Sequence, residues 1–147
     1  MGIRRFSALL GILAIAGVEA SLAEDVLAPG QVWSYHARAG ESASTATILK
    51  IEPHPVLGRV VHIHVTGLRL KAPSAPGGYT DTIGHMPYSD DALRKSLVKL
   101  VGNTEHLPAF EEGYDVWRSA YDVGQAGIFT APLKEAVEFV EQTLSGK

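Results

Sequence analysis

The stretch RVVHIHVTGLRL, Arg59 to Leu70, sets two histidines two residues apart in a run of Val and Ile. On a strand, His62 and His64 share a face, with their backbone positions about 7 Å apart. Imidazoles so spaced can converge on one ion, as half of a Zn²⁺ site that takes three or four ligands at ~2.0–2.2 Å. The remaining ligands would come from His36, Glu52, His54 or His85, and strand parity sets only His36 and Glu52 on the same face. In a three-strand meander His36 stands roughly 9–10 Å from His62, at about 4.8 Å per strand, which is long for a shared ion. The same pair fits the wet side of an antiparallel sheet, where alternation asks for polar residues. It also fits a face that meets a partner or ligand. Zinc held by His62 and His64 is therefore the alternative to a chain that needs no cofactor.

Two other stretches hold chemistry. APGGYTDTIGH, Ala75 to His85, brings Tyr79, Asp81 and His85 into a loop where Gly77 and Gly78 allow close backbone approach. It lacks the G-x-x-x-x-G-K-[ST] pattern of a phosphate cradle. EEGYDVWRSAYD places Glu111, Glu112, Asp115, Arg118 and Asp122 on the polar side of a helix. Paired carboxylates do acid–base work when burial raises one of them; opposite an aromatic stripe they read as a solvated face. There is no G-x-S-x-G elbow, no H-E-x-x-H pair and no Cys. The residues lean away from an enzyme, and no catalytic residue is assigned. The candidate ligand- or partner-binding set is His36, Glu52, His62, His64, Tyr79, Asp81 and His85.

The elements that must position these residues begin after a leader. Arg4 and Arg5, the apolar run Ala8 to Val18, and Ser21-Leu22-Ala23 have the layout of a secretory signal peptide over residues 1–23, with cleavage before Glu24. The apolar run is shorter than the roughly 20 residues that span a bilayer, so no stable membrane anchor is expected. The remaining 124 residues, 24–147, suit one domain. They carry 11 basic and 15 acidic residues, a net charge of −4, with no basic block, so nucleic acid is a poor partner. The expected address is periplasmic or secreted.

Period-two alternation predicts strands at Gln31 to Arg38, Ser44 to Glu52 and Arg59 to Leu70, with a parity flip after Gly67. Ala72 to Pro87, rich in Gly and Pro, predicts a loop. Ser89 is a helix N-cap ahead of Asp90 and Asp91, and Leu93, Leu97, Leu100 and Val101 give a helical stripe ended by Gly102. Phe110, Tyr114, Trp117 and Tyr121 make a second stripe, closed by Gly124. AGIFT predicts a short strand, and Thr130 a cap for a third helix with Leu133, Val137, Val140 and Leu144 on one side. The order β-β-β-α-α-β-α points to an α+β fold: an antiparallel sheet of three to four strands with helices on one face. That face is expected to carry Trp33, Tyr35, Val61, Ile63 and Val65, leaving the histidines on the other.

The segments GQVWSYHARAGESASTATILKIE, VVHIHVTGLRLKAP and GYDVWRSAYDVGQAGIFTAPLKEAVEFVE resemble a group of small bacterial exported or standalone proteins of unknown function, which share G-x-V-W-x-Y and A-G-x-F-T. The resemblance spans about Gly30 to Leu144. It implies a compact standalone domain and brings no activity, cofactor or site residue with it. The expected function is a non-catalytic binding protein of the bacterial envelope, meeting a protein partner or a small ligand, in the manner of an inhibitor or immunity protein.

Overall fold

The computed structural model describes residues 26–146, and the leader read at 1–23 lies outside them. In chain order the elements are β1 (Gln31–Tyr35), β2 (Thr45–His54), β3 (Gly58–Thr66), β4 (Leu70–Lys71), a 3₁₀ turn at Pro76–Gly78, β5 (Tyr79–Thr80), β6 (Ile83–Ser89), α1 (Asp90–Ser96), β7 (Leu97–Asn103), α2 (Glu111–Asp122) and α3 (Leu133–Leu144). β1, β2 and β3 form the antiparallel meander that alternation predicts. The full sheet has five strands in the order β6-β3-β2-β1-β7, all antiparallel, and β4 with β5 makes a separate hairpin. The fold is α+β with an antiparallel sheet.

Three elements differ from the sequence reading. β6 lies in what read as loop. Its Gly84 and Pro87 are poor strand residues, but it is an edge strand, where a missing ladder donor is tolerated. Leu97, Leu100 and Val101 belong to a strand, not to the helix: α1 stops at Ser96 and the chain continues as β7 along β1. LVKLV satisfies both periods, and the open side of β1 decides between them. AGIFT adds only a single parallel bridge from Phe129 to Tyr88. The expected cap by Thr130 is also replaced. The Ser96 hydroxyl, at the end of α1, accepts the Leu133 amide at 2.9 Å, so one buried serine serves two helices.

The core gathers Trp33, Tyr35, Ala46, Ile48, Val61, Ile63 and Val65 from the sheet with Leu93 of α1 and Leu133, Ala136 and Val137 of α3. α2 sits on the opposite face. Its Tyr114 reaches Glu52 and its Trp117 packs edge-on against His62, so the histidine face of the sheet is covered, not open.

Candidate functional site

His62 has no exposed surface. β3 places it between β2 and β6, paired with Lys50 on one side and Pro87 on the other. Next to it β6 spends two residues, Gly84 and His85, against the single His64 of β3. This bulge lets Ile83 and Met86 both enter the core while His85 turns to the other face, a common device beside functional sites.

The result is a chain of three titratable side chains. Glu52 Oε1 lies 3.0 Å from His62 Nε2, and His62 Nδ1 lies 2.8 Å from His85 Nε2. The two imidazole planes lie 16° from parallel, with ring centres 5.0 Å apart. Tyr114 donates its hydroxyl to Glu52 Oε2 at 2.9 Å. Lys50 and Arg118 each approach Glu52 to 3.8 Å, and the Lys50 ammonium lies 4.3 Å from the centre of the Tyr114 ring. Trp117 packs on both imidazoles and donates its Nε1–H to Gly127 O at 2.8 Å.

Burial pushes the Glu52 carboxyl up, but the hydrogen bonds from Tyr114 and His62 outweigh it and hold it below the ordinary carboxylate range. His62 is pushed down by burial, against the pull of Glu52. His85 is pushed down to about 4, first by burial and then by His62, with Glu52 opposing.

His85 also lines a cleft of about 760 Å³, between β6 and the first turn of α2, walled by Gly84, Ala109, Phe110, Glu111, Glu112, Gly113 and Val116. A Cβ on Gly113 would stand 3.1 Å from the His85 Cβ, so glycine keeps this wall close to the ring. His85 Nδ1 has no hydrogen-bond partner among the described residues. Since no buried side-chain nitrogen or oxygen there lacks one, Nδ1 is open to solvent.

Of the seven residues singled out from sequence, the structure brings Glu52, His62 and His85 together. His64 is beside them but half-buried, with Nδ1 3.1 Å from Gly84 O. His36 is exposed after β1, and its backbone amide donates to Ser96 O. Tyr79 is in the β4–β5 hairpin under the Arg69 guanidinium, and Asp81 is exposed and accepts the Thr82 hydroxyl. His54 accepts the Val56 and Leu57 amides on Nδ1 and meets Tyr121 through Nε2. The reading of His62 as solvated is corrected by α2, which buries it. His62 and His64 do not converge: both nitrogens of His62 are engaged by Glu52 and His85. Among the described residues, no group of three or more His, Cys, Asp or Glu side chains is placed to hold a metal ion.

Tyr114, Trp117 and Arg118 are site residues that sequence reasoning assigned to core or to solvent. One signal was available: the α2 stripe is built of Tyr and Trp, whose apolar bodies end in polar tips, and such residues suit a sheet face that carries Glu and His. No family profile, curated protein or solved structure matches the chain. The described residues contain no helix long and apolar enough to cross a membrane.

Proposed function

We propose that this protein is an exported, non-catalytic binding protein of the bacterial envelope, periplasmic or secreted, and that its ligand is a small molecule held in the cleft beside His85. The observation that carries this reading is His85, whose Nδ1 has no partner among the described residues and lies beside Gly113, and which lines a cleft of about 760 Å³, within the range of about 300–1,000 Å³ usual for small-ligand sites. Apart from Glu111 and Glu112 the remaining wall side chains are apolar or glycine, and a few fixed polar groups in such a wall are the pattern that orients a ligand. Binding is favoured over catalysis because an imidazole pushed down to about 4 is a weak base at neutral pH. A thermal-shift screen of the mature chain against envelope metabolites tests the reading. A true ligand stabilises the fold by RT ln(1 + [L]/Kd), so the melting temperature climbs with the logarithm of its concentration once that exceeds Kd, and His85→Ala loses that shift. A ligand that stabilises both proteins equally would place the site elsewhere.

A protein partner is the second form of the same reading. Val116 and Val123 are each 68 % exposed on one side of α2, with Ala120 between them, and exposed apolar stripes mark contact surfaces. Retention of a stoichiometric envelope protein by the original chain, lost in Val116→Lys/Val123→Lys, would favour it over the small ligand.

A further inference from the structure

Resting on the cleft reading, we infer that the ligand donates a hydrogen bond to His85 Nδ1 and bears no negative charge: an alcohol, a phenol or an amine on a largely apolar body. The argument is one of direction along the Glu52–His62–His85 chain. An ionised carboxylate only accepts, so His62 Nε2 must carry the proton that Glu52 Oε1 receives. His62 has no exposed surface and is flanked by the rings of Tyr114 and Trp117, a setting that opposes a second proton on it. Its Nδ1 is then bare and accepts from His85 Nε2–H. A neutral imidazole has one N–H. His85 has given that N–H to His62, so Nδ1, the unpartnered nitrogen beside the Gly113 wall of the cleft, can only accept.

The charges around the chain agree. Lys50 of β2 and Arg118 of α2 stand against Glu52 and keep it ionised, and both disfavour a further proton on His62. In the cleft wall the only charged side chains are Glu111 and Glu112. The α2 N-terminus alone would attract an anion, but Glu111 Oε2 already accepts the Phe110 amide there at 3.0 Å. A carboxylate ligand would thus meet two like charges and a nitrogen with no proton to offer.

The test separates this inference from the cleft reading. In the mature chain labelled with ¹⁵N-histidine, imidazole spectra report which ring nitrogen bears the proton, and His85→Gln assigns the signal. At about pH 6 to 8, where free imidazoles change charge, His85 is expected to hold its proton on Nε2 with Nδ1 bare. A proton on Nδ1 overturns the inference and leaves the cleft standing. Benzyl alcohol, benzylamine and benzoate then probe the site with one ring and three head groups. The first two should shift His85 Nδ1 and the Gly113 amide with a Kd at least about tenfold below that of benzoate, equivalent to about 1.4 kcal/mol. Benzoate binding as tightly as the others overturns the inference. If none of the three moves either signal, the cleft reading falls and takes the inference with it.

Discussion

On one side of β3, Val61, Ile63 and Val65 join a cluster with Leu133, Ala136 and Val137 of α3. On the other, His62, between Val61 and Ile63, meets Glu52, His85, Tyr114 and Trp117. Both sides are dry at their centres: Ile63 and His62 are each fully buried. They differ in what dryness requires. The apolar side needs only shape and volume. The histidine side needs a partner for every polar atom, because an unpaired buried group costs about 1–3 kcal/mol. The first side therefore tolerates substitution by like residues, and the second constrains identity, position and proton.

The largest effects should come from emptying either side. Trp117→Ala is expected to cost about 3–5 kcal/mol and Leu133→Ala about 2–5 kcal/mol, from lost transfer and the cavity left behind. If urea melts show Trp117→Ala leaving the midpoint in place, α2 is only a surface strap and the comparison fails. The next pair sharpens it. His62→Phe keeps much of the volume but orphans Glu52 Oε1 and the His85 N–H, at about 1–3 kcal/mol for each group. Met86→Leu, equally buried on the apolar side, should cost less than about 1.5 kcal/mol. Equal costs for the two would mean that both sides behave as plain hydrocarbon.

Acid should act on one side first. In the unfolded chain His85 titrates near 6.5, and in the fold it is pushed down to about 4. Between these values the unfolded state binds more protons, so stability is whole above 6.5 and falls as the pH drops towards 4. His62 is shifted in the same direction. Calorimetric melts should lose several degrees across this window, and His85→Gln should flatten the slope. An unchanged slope in that variant would mean that His85 is not held neutral by the fold. The smallest effect is expected at His36, exposed and away from both faces: His36→Gln should stay within about 0.5 kcal/mol of the original protein by the same melts.

The sequence already carried much of the apolar side, since Trp33, Tyr35, Val61, Ile63 and Val65 alternate without interruption and α3 shows a clean stripe. The histidine side was legible residue by residue but not as an assembly. Strand parity puts Glu52, His62 and His64 on one face, yet His85 reads as loop because Gly84 and Pro87 mask β6. The α2 stripe carries no mark of which face it covers. Its tyrosines and tryptophan fit an apolar or a polar floor, and only the three-dimensional path of the chain selects the polar one. Leu97 to Val101 failed for a related reason: their periodicity is ambiguous, and the deciding partner, β1, lies some sixty residues earlier.

That distant pairing governs how the molecule comes together. β1 finds β2 nearby in the chain, but its other edge waits for β7, with Gln31 opposite Asn103 and Tyr35 opposite Leu97. Closing so long a loop is entropically late. Until it closes, Trp33 and Tyr35 sit on a strand with one raw edge, the kind of surface on which half-folded chains join one another. A chain stalled before Asn103 would thus be the species most prone to aggregate, and a chaperone would have most reason to hold the molecule at that stage.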